Sequence, residues 1–256
     1  MNPVSLNIKI QGNGPPILIL HGLFGSLDNW QTIANALSNE FTIYLIDLRN
    51  HGKSPHTEAF SYTLMAKDIM YMIQKYQLVK PFMIGHSMGG KVVLELINLY
   101  PDDIGKSIII DIAPKSYPRG HDEIFKSMLG LDLNKINKRS EAEFELSKTI
   151  LDQTVRQFIL KNLDRDQNQQ FVWKINLKSL FENYNEITQE IKPSKPIINE
   201  ILFIRGDRSN YILDKDQLDI KKHYPNSSFV TIGDAGHWVH ADQPIRLVEI
   251  IKSYCI

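Results

Sequence analysis

The chain of 256 residues contains a single cysteine, Cys255, and no excess of charge of either sign. A single cysteine cannot form a disulfide within the chain, which fits a reducing compartment. Its position next to the C-terminus, where we expect a frayed end, argues against a catalytic thiol. The formal net charge at pH 7 is zero and gives no sign of an excess of basic residues. Neither nucleic acid nor an anionic membrane is therefore expected as a partner.

Long apolar segments are also missing. The first ten residues, MNPVSLNIKI, do not combine a basic region with an apolar core, and no apolar run approaches the length needed to cross a bilayer. We therefore expect a cytoplasmic protein without a membrane partner. Hydrophobic residues make up 43% of the chain and charged residues 23%, which is typical of one globular domain, with or without an insertion.

The most informative segment, residues 80–100, has a serine flanked by glycines at its centre. Residues 82–84 form an apolar run that predicts a buried strand, and residues 91–100 have the apolar spacing of a helix. Between them the sequence GHSMG has the Gly-x-Ser-x-Gly pattern of a nucleophile elbow. The turn requires glycine two residues to either side of the serine, because it leaves no room for a Cβ. Ser87 is therefore the candidate nucleophile; an ordinary serine in a glycine-rich turn is the plain alternative.

Strands and helices alternate over both ends of the chain. Strands are predicted at residues 6–11, 17–20, 41–46, 82–84, 108–110, 201–204 and 229–232. Helices are predicted at residues 26–37, 62–76, 91–100 and 214–223, and from residue 245 onward. Strands separated by helices of this length imply an α/β fold, with a mostly parallel sheet covered by helices on both faces.

Residues 115–195 have a different character. Helical patterns are predicted around residues 124–129, 141–151, 155–163 and 172–184, and no convincing buried strand occurs across this segment. We interpret it as a helical cap inserted into a core formed by residues 1–114 and 196–256. Its aromatic residues are expected to pack the cap and also to select substrate: Phe125, Phe144, Phe158, Phe171, Trp173 and Phe181.

Two further segments carry the chemistry of attack on a carbonyl group. The sequence HGLFG at residues 21–25 follows a strand expected beside the nucleophile strand, so its backbone N–H groups can stabilise an oxyanion. We expect the N–H groups of Met88 and Leu23 to form this oxyanion hole, with Phe24 as the second choice for Leu23. His237 follows the last predicted strand, where it can take the proton of Ser87. The other histidines considered are interpreted as structural or as lying beyond the turn: His21, His51, His86 and His240.

These segments resemble the α/β-hydrolase family. More narrowly, HGLFGSLDNW, DLRNHGKSP, GHSMGGKVV, DIAP and AGHWVHADQP are similar to a branch of small cytosolic esterases that includes bacterial acyl-CoA esterases and a mitochondrial relative. The similar segments cover nearly the whole chain. The resemblance implies an α/β-hydrolase fold and hydrolysis of small-molecule carboxylic esters and acyl-CoA thioesters without a cofactor. No spacing of His, Asp or Glu indicates a metal site.

The acid is where the chain departs from the family pattern. In most α/β-hydrolases an Asp stands three residues after the glycine that ends the penultimate strand, whereas here Ser209 stands three residues after Gly206. Asp111 follows the strand after the elbow helix, at the carboxyl edge of the sheet, and Asp207 directly follows the glycine. The related esterases use the Asp of the DIAP segment. This implies Asp111 as the acid that orients His237, with Ser209 bracing it, and Asp207 is kept as the alternative.

The predicted reaction is a two-step acyl transfer, in which Ser87 attacks, His237 moves the proton and water releases the acid from the acyl-enzyme. Phe24 and Trp238 are expected to line the substrate pocket, although Trp238 fits a core position equally well. The same triad serves carbon–carbon bond hydrolases and lyases, and a receptor-like binder can retain a slow triad on this fold. The sequence does not decide acyl length, the preference between ester and thioester, the physiological substrate or the oligomeric state.

Overall fold

The computed structural model of the protein describes residues 2–256, and this part of the chain contains nine strands and eleven α-helices. The strands are β1 (Ile8–Gln11), β2 (Pro16–Leu20), β3 (Thr42–Ile46), β4 (Phe82–His86), β5 (Ser107–Ile110), β6 (Leu163–Arg165), β7 (Phe171–Trp173), β8 (Ile201–Gly206) and β9 (Ser227–Ile232). The helices are α1 (Gln31–Leu37), α2 (Tyr62–Lys75), α3 (Met88–Leu99), α4 (Asp122–Gly130), α5 (Arg139–Ser147), α6 (Gln153–Leu160), α7 (Leu177–Glu182), α8 (Tyr184–Thr188), α9 (Asp214–His223), α10 (Val239–Asp242) and α11 (Pro244–Cys255). This part of the chain also contains two short 3-10 helices, Leu27–Trp30 and Leu133–Lys135. The first of them lies where the sequence predicted the start of an α-helix.

Seven strands form one sheet in the order β1-β3-β2-β4-β5-β8-β9. β1 is antiparallel to β3, and every other neighbouring pair in this sheet is parallel. The predicted α/β fold with a mostly parallel sheet is therefore confirmed. In a parallel sheet the carboxyl ends of the strands meet at one edge, and the loops after β2, β4, β5, β8 and β9 lie there together.

Helices cover both faces of the sheet because its central strands are apolar on both sides. On β2, Leu18 packs into the cluster that includes α2 and α3, whereas Ile17 and Ile19 pack into the cluster that includes α1 and α11. Each such buried side chain contributes about 1.5–3 kcal/mol relative to an exposed one. Among residues 2–256, no helix has both the length and the apolar character that crossing a bilayer requires.

Cys255 belongs to the second of these clusters, and the expectation of a frayed end is wrong. It is the last residue of α11 and is 7% exposed. Burial raises the pKa of its thiol to about 12. The side chain therefore acts as a small apolar residue that fixes the end of the helix against the sheet.

Between β5 and β8 the chain leaves the sheet and forms α4 to α8 together with an antiparallel hairpin of β6 and β7. The helices predicted at 155–163 and 172–184 are therefore too long. Asp166 ends the first strand of the hairpin, because its carboxylate accepts the N–H groups of Asn168 and Gln170 and so closes a turn. The second helix begins only at α7, where the side chain of Asn176 caps the N–H of Ser179.

Candidate active site

Ser87 lies at the turn between β4 and α3, with φ 52° and ψ −120°. Such a backbone conformation is costly for a residue with a side chain and is concentrated at functional sites. A Cβ on Gly85 would lie 2.4 Å from the carbonyl oxygen of Gly89, and one on Gly89 would lie 2.5 Å from that of His21. Only glycine fits at either position, and the predicted strand–turn–helix arrangement is confirmed.

Ser87, His237 and Asp111 form one line of hydrogen bonds, although β4, β9 and β5 lie far apart in the sequence. Nε2 of His237 is 3.0 Å from Oγ of Ser87, and Nδ1 is 2.7 Å from Oδ2 of Asp111. The Asp111 carboxylate accepts only, so Nδ1 carries the ring proton and Nε2 is the acceptor that faces the serine hydroxyl. This is the arrangement that a histidine base needs in order to take the serine proton.

Three hydrogen bonds hold the buried Asp111 carboxylate. His237 donates to Oδ2, Ser209 Oγ donates to the same oxygen, and the N–H of Gly206 lies 3.3 Å from Oδ1. Asp111 is 0% exposed, and a buried carboxylate is tolerated only when its oxygens are satisfied in this way. Ser209, which occupies the usual position of the acid in this fold, therefore lies where the sequence predicts it, against Asp111.

Asp207 does not reach His237. Its carboxylate accepts the backbone N–H of Ala235 at 3.1 Å, in the loop that follows β9. The backbone N–H groups of Ala235 and Asp234 hold the pKa of this carboxyl below its usual range. The structure thus brings Asp111 to the imidazole of His237, whereas Asp207 supports the loop that carries His237.

The turn after β2 lies beside Ser87, since a Cβ on Gly22 would be 3.1 Å from the Cβ of Ser87. The N–H of Gly25 donates to the carbonyl of Gly22 at 3.0 Å, and Phe24 has a φ of 59°. Within residues 2–256, neither the N–H of Leu23 nor that of Met88 donates a hydrogen bond to the protein. Met88 is the first residue of α3, where a backbone N–H has no partner inside the helix. Both groups are therefore available to an oxygen atom bound beside Ser87.

Two residues that complete this site, Asn162 and Tyr211, were missed by the sequence interpretation. Nδ2 of the buried Asn162 donates to the carbonyl of Phe24 at 2.7 Å, so the segment after α6 fixes the oxyanion turn. The ring of Tyr211 stacks on His237, with the two centres 3.9 Å apart. His86 was expected to be structural, and its Nε2 donates to the carbonyl of His237 at 2.8 Å. No local pattern marks Asn162 or Tyr211, because each reaches the site from a distant part of the chain.

Comparison with known proteins identifies the family of the chain. A family model described as the alpha/beta hydrolase fold matches residues 15–244. A putative esterase/lipase of Haemophilus influenzae is 38% identical over 248 residues, which cover 96% of this chain and 85% of the relative. Esterase YbfF of Escherichia coli is 36% identical over 258 residues, which cover 98% of this chain and 99% of the relative. The chain belongs to the α/β-hydrolase family.

The expected kinship with esterases is confirmed at the level of structure too. The solved structure of a marine microorganism esterase has a TM-score of 0.95 to this α/β-hydrolase and is 39% identical, covering 98% of this chain and 99% of that one. This chain is therefore an enzyme of the esterase group.

Ser87 of this α/β-hydrolase lies between two cavities. The smaller, of about 110 Å³, is also lined by His237 and by four large aromatic residues, Phe24, Trp30, Phe158 and Trp238. The ring centres of Phe158 and Trp238 are 5.2 Å apart. The structure thus places both predicted pocket residues, Phe24 and Trp238, in the cavity beside the candidate nucleophile.

The larger cavity, of about 520 Å³, lies on the other side of Ser87 and is lined mostly by tyrosine and apolar residues. It also contains two lysines, Lys91 and Lys115. Lys115 pairs with Asp216 at 2.5 Å, whereas Lys91 is 1% exposed and donates to backbone carbonyls, that of Thr188 at 3.4 Å among them. Burial lowers the pKa of Lys91 to about 7, and the charge of Glu190 opposes this only in part.

The lowered pKa of Lys91 predicts a pH-dependent stability. An unfolded lysine has a pKa of about 10.4, so between about pH 7 and pH 10 the unfolded state binds a proton that the folded state has released. The free energy of unfolding of the wild type, relative to Lys91→Met, should therefore rise with pH from 7 to 9, by at most about 1.4 kcal/mol per pH unit. Urea unfolding of both proteins at pH 6, 7, 8 and 9 measures the difference. Lys178→Met, at a surface lysine with an 81% exposed side chain, is the control, and an unchanging difference for Lys91→Met would contradict the assignment.

Proposed function

We propose that the protein is a serine esterase that cleaves carboxylic esters or acyl-CoA thioesters through an acyl-enzyme on Ser87. The observation that carries the proposal is the unbroken line of hydrogen bonds from Ser87 through His237 to Asp111, next to two backbone N–H groups that have no partner among the residues the structure describes. Its kinship with esterases supports the same reaction class.

In the acylation half-reaction, Oγ of Ser87 attacks the carbonyl carbon of the substrate while its proton passes to Nε2 of His237. Asp111 keeps the imidazole in the required tautomer and stabilises the imidazolium that forms. The carbonyl oxygen becomes negatively charged and accepts hydrogen bonds from the backbone N–H groups of Leu23 and Met88. The N-terminus of α3 adds the positive end of its dipole at the same place. The proton on His237 then goes to the leaving group.

In the deacylation half-reaction, water attacks the acyl-enzyme, and His237 again takes the proton before returning it to Ser87 Oγ. Ser209 assists indirectly: its hydroxyl donates to the oxygen of Asp111 that also accepts from His237, which holds the carboxylate in one orientation. Nothing in this scheme uses a cofactor.

A kinetic screen tests the proposal. The wild-type protein is assayed without added cofactor on p-nitrophenyl esters and on acyl-CoAs, from acetyl to longer chains. Continuous turnover far beyond one equivalent of product is the expected result. One equivalent released in a burst that then stops would indicate a receptor-like binder with a slow triad and would contradict the proposal.

We further propose that residues 115–195 form a cap over a core of residues 1–114 and 196–256, and that the smaller cavity receives the acyl chain. Phe158, on α6, forms part of the wall of this cavity and packs against Trp238. Phe144, on α5 of the same segment, is 63% exposed and lies away from Ser87, so the expectation that it selects substrate is wrong.

Phe158→Ala is expected to shift the acyl-chain preference towards longer chains. Each additional methylene that becomes buried contributes about 0.8 kcal/mol, so burial of about two of the four extra methylenes of p-nitrophenyl octanoate should raise its kcat/KM relative to that of the butyrate by roughly tenfold. Phe144→Ala removes the same side chain from the exposed position and should leave the ratio unchanged. A uniform decrease of kcat/KM at all chain lengths in Phe158→Ala would show that the residue only supports the fold.

A further inference from the structure

His121 lies where the two cavities meet. Besides Ser87 and Leu23, it is the residue that lines both of them. It directly precedes α4, and its ring centre is 6.0 Å from that of Phe24. The imidazole therefore borders the space in front of the candidate nucleophile, although it belongs to the segment between β5 and β8 and carries no role in the mechanism above.

The hydrogen bonds of Tyr184 fix the tautomer of His121. The Tyr184 hydroxyl oxygen accepts the backbone N–H of Gly120 at 3.2 Å and that of His121 at 3.0 Å. The same oxygen is 2.6 Å from Nδ1 of His121. Because its two lone pairs are occupied, the hydroxyl must donate its own hydrogen to Nδ1. Nδ1 is therefore an acceptor, and the ring hydrogen of the neutral imidazole is on Nε2.

The imidazole is also neutral. Burial, assisted by nearby His237 and opposed by Asp122, lowers the pKa of His121 to about 4. Burial raises the pKa of the Tyr184 hydroxyl, which keeps the proton that it donates. Nδ1 of His121 forms a hydrogen bond, whereas Nε2 forms none with the described residues. The N–H at Nε2 therefore has no protein acceptor within residues 2–256.

A substrate that spans both cavities places its carbonyl carbon at Ser87. Its acyl part then lies on one side and its alcohol part on the other, so whichever cavity receives which part, the atom that leaves lies at the junction that His121 borders. An oxygen atom there can accept a strong hydrogen bond from an N–H group, whereas sulfur is a weak acceptor.

We propose that the Nε2–H of His121 donates a hydrogen bond to the leaving oxygen of the substrate, and that this bond accelerates the cleavage of oxygen esters more than that of thioesters with the same acyl group. This inference rests on the proposed esterase function. When the carbon–oxygen bond breaks, its electron pair goes to the leaving oxygen, and that oxygen takes the proton held by His237. His121 keeps its own proton and stabilises the developing negative charge through the hydrogen bond.

The test compares phenyl butyrate with S-phenyl thiobutyrate, which share an acyl group and differ in the leaving atom. His121→Leu removes the donor and should lower kcat/KM for the oxygen ester by roughly tenfold, the effect of one hydrogen bond to developing charge, while the thioester changes less than about twofold. His121→Gln retains an N–H at the end of the side chain and should recover part of the oxygen-ester rate. Tyr184→Phe removes the hydroxyl that fixes the tautomer of His121. It should lower kcat/KM for the oxygen ester by less than His121→Leu does and leave the thioester nearly unchanged.

Two results would overturn the inference: an equal loss for both substrates in His121→Leu, which is the signature of a structural role, or no loss for the oxygen ester. The thermal stability of each variant is measured together with its kinetics. If His121→Leu folds poorly, His121→Gln, which retains a polar side chain, takes its place in the comparison. If the wild type turns over neither butyrate, or if Ser87→Ala turns them over equally well, the esterase function itself fails, and the inference fails with it.

Discussion

Replacement of Ser87 by alanine is expected to lower kcat by about four to six orders of magnitude, because members of a catalytic triad act as a unit. The fold should remain intact. The Oγ of Ser87 bonds only to His237 among the described residues, and alanine meets the left-handed backbone of the elbow at the same cost as serine. Steady-state kinetics on p-nitrophenyl butyrate, together with thermal unfolding, measures both expectations.

Ser107→Ala is the matched control for this experiment. Ser107 is fully buried on β5, whereas Ser87 is half-buried, and the Ser107 hydroxyl donates to the carbonyl of Gly105, away from the site. This variant should retain wild-type kcat. A Ser87→Ala protein that keeps more than a trace of activity would contradict the assignment of the nucleophile.

Asp111→Asn is expected to lower kcat by about a thousandfold or more. The carboxylate of Asp111 accepts a hydrogen bond from His237 Nδ1–H at 2.7 Å and faces the positive charge that forms on the imidazole. Asparagine lacks the negative charge of the carboxylate, and its amide can donate an N–H to Nδ1 of the ring. This favours the tautomer that carries its hydrogen on Nε2, which cannot accept the proton of Ser87. The measurement is kcat on one p-nitrophenyl ester at a fixed pH.

Asp207→Asn and Ser209→Ala provide the comparison at neighbouring positions. Asp207 bonds to the backbone of Ala235 rather than to His237, so its replacement should cost far less. Loss of the Ser209 hydroxyl leaves Asp111 with one hydrogen bond fewer and should cost roughly tenfold. A severe loss in Asp207→Asn combined with a mild one in Asp111→Asn would mean that the acid is wrongly assigned.

A second site change can restore part of the activity lost in Asp111→Asn. Ser209 lies against the carboxylate that His237 uses, and an Asp is usual at this position in the wider family. The double change Asp111→Asn with Ser209→Asp should therefore recover a measurable part of kcat. No recovery would show that position 209 cannot direct a carboxylate to the imidazole in this chain.

The features that the sequence predicted well depend on short-range patterns. The sequence GHSMG predicts the turn, and the overlap that a Cβ on Gly85 would make with the backbone of Gly89 lies within a few residues of Ser87. Asp111 was predicted from the end of a strand and from resemblance to related esterases, and the structure places it against His237. In each case the alternation of strand and helix brings the strand ends to one edge of the sheet.

The features that were missed depend on contacts between distant segments. Asn162 reaches the carbonyl of Phe24 across 138 positions of sequence, and Tyr184 reaches His121 across 63. Nothing in the residues around either one predicts its partner. The three-residue strands of the hairpin are too short to show a period, so a helical pattern was extended through them.

Observation of the acyl-enzyme is the most direct test of the proposed mechanism. Wild-type protein is mixed with p-nitrophenyl butyrate, quenched with acid during turnover, digested and examined by peptide mass spectrometry. We expect one butyryl group on the peptide that contains Ser87, formed and lost at rates that match turnover and absent from Ser87→Ala. Turnover without an acylated intermediate, or a butyryl group that forms at the same rate on another residue, would contradict covalent catalysis by Ser87.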